Sequence, residues 1–560
     1  MACDDNLPQV RSTMPMAKLN ATQVLALATL ATGAQDASSP ASGKLHGIKT
    51  SATYIEPSPS NSPISESEDA QSSLELALDY ADRVSEKLLH CDRDEDIRAS
   101  RELLAFLVDY VEQTLLASGN IHTAVASFSI SDAQKSKMLH SYYKAIHAAN
   151  INIHPQQSGL FGTARGTPKG APTVIYTVFG GQGLRSNCIQ ELREIITTYS
   201  SLTRDLIHDS AALITDLSST DSAASQLLSQ GLDILAWLRD PAQIPDSTYL
   251  TSAPVSVPLI GLVQLAHYEV TCKTLGLTPG QFRSRIAGTT GHSQGIITAA
   301  ATAVAHDWPS WREATRAAMT MLFWIGVRTQ QAWDTVQCNN GISEAMVQDS
   351  IDHGERAPSP MLSVRGLARE DLQRCVDATN RYLKHNGSYL AISMANGPRH
   401  FVVSGPPKYL YGLNLQIRKA KHLLGNAGVV GSRFLDVSVP FHTSWLDQAI
   451  PMIQNDVKDI KLQSSGMVTP VFSTEDGQDT GCEVQRLVEL VVSRGVDWGK
   501  ATASLYPEAS SAAQTVLDFG PGGVHGISSL SSPAGGSHII LAGTLSGRKS
   551  GVGYKGDLFV

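Results

Sequence analysis

Cysteine is scarce in this chain of 560 residues. There are seven, Cys3, Cys91, Cys188, Cys272, Cys338, Cys375 and Cys482, an odd number with no C-x-x-C pair among them. That argues against a disulfide framework and a zinc site, and for reduced thiols in an intracellular protein. Charge is sparse too. Asp, Glu, Lys and Arg make up 17% of the residues, and acids outnumber bases to leave a formal net charge of −8. A chain with no basic excess lacks the electrostatic footprint of a nucleic-acid binder, so that class of partner is set aside. Near the N-terminus the one apolar stretch, Val24 to Ala31, falls short of the roughly 20 residues a bilayer requires. It follows Asp4 and Asp5 instead of a basic segment, so it is not a secretory signal either. The expectation is a cytoplasmic protein with no membrane partner.

What the chain does have is a hydrophobic content of 42%, enough for a substantial core. Its length suits roughly three to four domain-sized units, or one large α/β domain with insertions. Residues 1–72 are rich in Ala, Ser and Pro and run out through PSPSNSPISESED (57–69). Such a stretch buries too little apolar surface to offset its chain entropy and reads as a flexible leader, with Thr22–Thr32 as a short docking helix. From 73 to 170 the spacing turns helical. LELALDYADRVSEKLL (74–89) and RELLAFLVDYVEQTLLASG (101–119) carry apolar residues three and four apart, and a third helix is expected near Asp132–Ala149.

At Pro172 the period changes. APTVIYTVFGGQG (171–183) is a continuous apolar, β-branched run ending in three glycines within four positions, the pattern of a buried parallel strand opening onto a tight turn. A long helix is expected over 191–217. RSRIAGTTGHSQGIITAAATAVA (283–305) repeats the strand, turn and helix. This alternation predicts a parallel α/β core over 171–357 and 436–560. Between its halves, residues 358–435 read as a smaller βαββαβ segment. Its pieces run from PMLSVRG (360–366), through a hairpin turning at Asn396-Gly397-Pro398, to a strand in FLDVSVPF (434–441). TVLDFGPGG (515–523) and HIILAGTL (538–545) return two core strands.

Gly291-His292-Ser293-Gln294-Gly295 matches G-x-S-x-G, the strand-to-helix elbow that exposes a nucleophilic serine. The pattern alone is common, but here a short apolar strand precedes it and a helix-forming run follows. A serine needs a base, and 17 histidines are available. Position singles out His442, just past Pro440, because catalytic residues favour strand ends. His292, beside the serine, reads as a packing residue. One oxyanion donor in elbow enzymes is the backbone N–H after the nucleophile, here Gln294. The Gly180-Gly181-Gln182-Gly183 turn could supply another, or be a plain turn. Neither G-x-G-x-x-G nor G-K-[ST] completes it, so a nucleotide site is poorly supported.

Taken together, these pieces resemble acyltransferases of the malonyl/acetyl transferase type, and more closely the acetyltransferase domain that opens the β subunit of fungal type I fatty acid synthase. The matching runs are VFGGQG (178–183), GHSQGIITA (291–299), FWIGVR (323–328), PSPMLSV (358–364), NG (396–397) and VVSGPP (402–407). YGLNLQIRKAK (411–421), PFHT (440–443), LDFGPGG (517–523) and AGTL (542–545) follow in register, and LASGNIHTAVASF (116–128) extends the likeness upstream. The fold it implies is an α/β-hydrolase-like acyltransferase core with a ferredoxin-like insert and a helical N-terminal region.

The same resemblance implies roles. Ser293 would carry the acyl group as an ester, with His442 as its base, oriented by a backbone carbonyl and not by an acid. Gln182 and Gln294 would donate backbone N–H groups to the oxyanion. Asn396 falls where the family has an asparagine near the site, although Asn-Gly equally suits a turn. Malonyl-selective relatives have an arginine where this chain has Ile325. An apolar residue cannot neutralise a carboxylate, so an uncharged donor such as acetyl-CoA or a short alkanoyl-CoA is expected. The acceptor would be the phosphopantetheine of an acyl carrier protein, within or alongside other synthase domains, with no bound cofactor and no metal. Two rivals use the same residues differently. One is a serine hydrolase, for which Asp436 is the candidate acid; the other is a non-catalytic synthase scaffold. The chain stops at Val560, just past the transferase, which fits both an excised part of a larger synthase and a free-standing enzyme.

Overall fold

The computed structural model describes residues 66–117, 119–156, 158, 160–161, 174–183, 187–337, 341–383, 389–423, 430–462, 469–503, 505, 514–530, 538–545 and 552–560. The leader up to Ser65, with its Thr22–Thr32 helix, lies outside them. The chain divides into two compact units, the first made of Met1–Ser118 with Lys144–Ile151 and the second of Gly119–Tyr143 with Asn152–Val560.

In the first unit, α1 (Glu66–Leu88) and α2 (Asp94–Tyr110) pack together through apolar stripes that include Leu74, Leu78, Leu104 and Leu107, all buried. Both helices start earlier than the apolar period indicates. Helix α1 takes in the last seven residues of the stretch read as leader, because periodicity registers only from the first apolar residue, Leu74, and is blind to a polar first turn. In α2 that turn holds Asp94, Glu95 and Asp96, negative charge where the helix dipole favours it.

The second unit holds eleven strands among the described residues: β1 (Val174–Phe179), β2 (Ile286–Gly291), β3 (Met361–Arg365), β4 (Ala391–Gly397), β5 (His400–Ser404), β6 (Gly431–Phe434), β7 (Val471–Phe472), β8 (Val496–Asp497), β9 (Gln514–Asp518), β10 (His538–Leu541) and β11 (Gly553–Tyr554). Six form a wholly parallel sheet in the order β11-β10-β9-β1-β2-β7. In β1, every residue after Val174 is buried, as its unbroken apolar run requires of a strand covered on both faces.

Around this sheet lie α3 (Cys188–Thr220), α4 (Ala253–Leu275), α5 (Gly295–Val304) and α6 (Trp308–Gln337). The expected long helix is α3, bent at Tyr199, whose φ/ψ is not helical. Among the described residues α4 is the one helix long and apolar enough to cross a membrane, yet its apolar window is 94% buried within the protein. It is apolar all round because it is surrounded by other elements.

Residues 361–434 form the inserted βαββαβ segment, with helices Arg369–Tyr382 and Pro407–Leu423. Its sheet runs β6-β3-β5-β4-β8, antiparallel except where the short β8 joins β4. Two expectations need correction here. The strand read over 434–441 ends at Phe434. Beyond it the Val437 N–H turns back to the Leu435 carbonyl and the Phe441 N–H to that of Val439, so local turns replace the ladder, and Pro440 has no N–H to give. The hairpin turn also lies one step later. Gly397 pairs with His400, which puts Pro398-Arg399 at the tip and Asn396 within β4.

Candidate active site

Strand β2 ends at Gly291 and α5 begins at Gly295, leaving His292, Ser293 and Gln294 as the turn between them. The turn is closed by backbone contact. A Cβ on Gly291 would lie 2.0 Å from the Gly295 carbonyl carbon, and one on Gly295 would lie 2.4 Å from the Phe179 carbonyl oxygen. Only glycine fits at either position, the steric reason behind the G-x-S-x-G spacing. Ser293 sits at φ +55°, a left-handed backbone that a non-glycine residue holds only when its surroundings enforce it. Gly295→Ala is therefore expected to push α5 off the end of β1. A displacement near 1 Å costs about 100-fold in rate, which single-turnover kinetics would measure.

The Ser293 hydroxyl donates to His442 Nε2 at 2.7 Å, across 149 residues of sequence. On the far side of the ring, His442 Nδ1–H donates to the Arg494 carbonyl at 2.8 Å. That second bond fixes the tautomer, leaving Nε2 as a proton acceptor aimed at the hydroxyl. His442 is also left-handed, at φ +64°, and its own N–H is held by the Val492 carbonyl at 2.8 Å. Both side chains are buried, and burial holds the imidazole in its neutral form, with its pKa lowered to about 4.

The FGGQG turn lies directly against the nucleophile, since a Cβ on Gly181 would come within 2.7 Å of the His292 carbonyl oxygen and 3.0 Å of Ser293 Cβ. The side chains of Gln182 and Gln294 both point away to the start of α4, Gln182 Nε2 donating to Ser256 Oγ and Gln294 Nε2 to the Val257 carbonyl at 2.8 Å. No hydrogen bond from the backbone N–H of either glutamine is found among the described residues.

One organising residue escaped the sequence reading. Gln264, fully buried on α4, donates through Nε2 to the carbonyls of Gly180 at 2.7 Å and Gly520 at 3.0 Å, while its Oε1 accepts from Thr298 Oγ1 at 2.8 Å. It ties together the FGGQG turn, the FGPGG loop and α5. The available signal was a single amide inside the otherwise apolar run 257–266, since a buried amide must find partners. Asn396 meets the site as well. Its Oδ1 accepts from His292 Nε2 at 2.8 Å, and the His292 ring meets Trp498 edge-on. His292 thus links the insert to the elbow and, turned from Ser293, leaves the base to His442.

Comparison with known proteins follows this geometry. A family model described as starter unit:ACP transacylase in aflatoxin biosynthesis matches residues 177–442, a span from β1 to His442. Across those residues the chain is similar to a starter unit:ACP transacylase domain. The fatty acid synthase β subunit TOXC of Cochliobolus carbonum is 39% identical over 507 residues, which is 87% of this chain and 24% of that protein. The fatty acid synthase subunit β of Saccharomyces cerevisiae is 39% identical over 405 residues, 69% of this chain and 19% of that one. The chain thus spans about a quarter or less of the length of these relatives. Among solved structures, a loading acyltransferase from the avermectin modular polyketide synthase is 18% identical with a TM-score of 0.45, covering 69% of this chain and 97% of that one.

Within the same span, Ile325 is completely buried on α6. The nearby Arg328 is fully engaged elsewhere. Its Nε donates to Asp456 Oδ2 at 2.6 Å, its terminal nitrogens reach Asp221 at 2.9 and 3.2 Å, and its guanidinium stacks over Trp324. Asp436, the acid a hydrolase triad would need, pairs with Arg356 at the surface, while His442 Nδ1 is taken by a backbone carbonyl.

Proposed function

We propose that this transacylase domain moves a short, uncharged acyl group from acyl-CoA to the phosphopantetheine thiol of an acyl carrier protein, by way of an ester on Ser293. The observation that carries this reading is the Ser293–His442 pair closed by the Arg494 carbonyl. His442 Nε2 takes the hydroxyl proton as Oγ bonds to the thioester carbonyl carbon, and the oxyanion forms beside the backbone N–H groups of Gln182 and Gln294. The C–S bond breaks, the proton passes from Nε2 to the departing CoA sulfur, and the carrier thiol then reverses the sequence. A dyad without a carboxylate suffices, because the imidazolium exists only during each half-reaction.

Donor selectivity rests on charge. With Ile325 in place and Arg328 held by two aspartates, neither position offers a guanidinium to a malonyl carboxylate, and a buried unpaired carboxylate is costly. A cavity of about 680 Å³ lies beside the site, reaching Gln182, His292 and Asn396. The ionisable side chains among its described wall residues are all basic, including Arg365, Lys421 and Arg433, which suits the phosphates of CoA and of the carrier arm.

The test is intact-protein mass spectrometry after brief mixing with acetyl-, hexanoyl- or malonyl-CoA. A gain of one acyl group from the uncharged donors, cleared on adding a phosphopantetheinylated carrier, is the expected result. Strong malonyl loading would sink the Ile325 argument. Steady CoA release with neither carrier nor acyl-enzyme would make the protein a hydrolase.

A further inference from the structure

A cavity of about 710 Å³ opens at the carboxyl ends of β9 and β10, on the opposite side of β1 from the Ser293 elbow. Its wall includes the first turns of α3, the FGPGG loop and the segment after β10. Crevices outside the carboxyl ends of parallel strands are the common ligand positions of open α/β sheets, but position alone is not a site. Two buried side chains on the wall make it one.

Lys555 is 1% exposed. Its ammonium has three donors, and among the described residues it reaches the Ala542 carbonyl at 3.2 Å and Thr271 Oγ1 at 3.4 Å, with the Tyr199 ring centre 5.4 Å away. Those contacts are long for a cation, whose hydrogen bonds ordinarily close to roughly 2.7–2.9 Å. No carboxylate pairs with it among the described residues. Burial alone pulls its pKa down to about 7. His267 is 7% exposed and lies beside it, one turn of α4 before Thr271. Its ring packs on Gly543, the residue after the one that holds Lys555, so closely that a Cβ there would come within 2.5 Å. No hydrogen bond to either ring nitrogen is found among the described residues, and Glu191 Oε2 stands off at 3.8 Å.

The acids on the wall are placed differently. Glu191 Oε1 already accepts from the Gly522 N–H at 2.8 Å and Asp518 Oδ1 from the Gly520 N–H at 2.7 Å, while Asp132 and Glu194 are exposed. Among the described wall residues, the hydrogen-bonding capacity left weakly used or unmet therefore belongs to basic side chains: Lys555, His267 and Arg193, whose Nε is buried without a partner while its Nη2 donates to the Trp237 carbonyl at 2.6 Å. Transfer chemistry at Ser293 uses none of them. The geometry points to a second binding site, for a small dianion carrying a phosphate or paired carboxylates, held by Lys555 and His267. An oxygen of such a ligand would give the ammonium its missing strong acceptor.

The site is tested by calorimetric titration of the full chain with inorganic phosphate and, separately, with succinate. The expected result is saturable binding of at least one of them, one per chain, with phosphate alone marking a phosphoryl ligand and succinate alone a carboxylate. Lys555→Met should weaken it at least about tenfold, the usual worth of a hydrogen bond to a charged group. It should not lower the melting temperature, since methionine fills the same slot without a charge. His267→Gln provides an independent weakening should Lys555→Met fail to fold. Ser293→Ala should bind as the parent does, which separates this site from the acyl-CoA site. Absence of saturable binding of both anions at millimolar concentration, or affinity unchanged in both cavity variants, would overturn the proposal.

Discussion

Ser293→Ala is expected to leave no acyl-enzyme detectable by mass and to cut carrier acylation by at least about 10⁴-fold, the scale seen when a nucleophile acting as part of a unit is removed. The fold should survive. Ser293 is strained at φ +55°, but alanine retains the same Cβ, so the backbone cost does not change. The hydrogen bond that disappears leaves His442 Nε2 as a lone acceptor, with Nδ1 still on the Arg494 carbonyl. Melting temperature and intact mass, measured on one sample, separate loss of chemistry from loss of structure. Continued acyl loading on the variant would place the nucleophile elsewhere and dismantle the proposed mechanism.

Removing the base comes next. His442→Ala should slow both half-reactions by about 10³-fold or more, because the serine proton then has no positioned acceptor. The parent enzyme adds a sharper test. Burial lowers the His442 pKa to about 4, and the base works in its neutral form. A lowered pKa extends that form toward acid, so acylation should stay level through neutral and mildly acidic pH and fall only as pH approaches about 4. An exposed imidazole would already be half protonated near its ordinary 6.5. A pH profile of single-turnover acylation reads this directly. An acid limb centred near 6.5 would mean that His442 is solvated in the working enzyme, or is not the base.

The features legible from sequence are those set by short-range backbone chemistry. The buried β1 run, the glycine-flanked elbow and the βαββαβ insert could be read because strand and helix periods and glycine sterics act over a few residues. The same local view misplaced the 434–441 strand. Its apolar alternation is real, with Val437 and Val439 buried, but the segment crosses from the insert back to the core through tight turns. It also put Asn396 in a turn, where the register of β4 on β5 gives it a strand position facing His292.

Local spacing thus determined the elbow, since Gly291, Ser293 and Gly295 constrain one another within a single turn whatever the rest of the chain does. The catalytic pair is a different matter. Ser293 and His442 are 149 residues apart, and the carbonyl that orients the histidine lies 52 residues further on. A main-chain carbonyl has no side-chain signature, so nothing in the residue at 494 announces its part. Likewise Gln264 reaches carbonyls 84 and 256 positions away, and the long contacts of Lys555 and His267 follow from where their neighbours' carboxylates are spent. Partnership across such distances is decided when the packed sheet and its helices bring the groups together, because hydrogen bonds and burial depend on position in space and not on order along the chain.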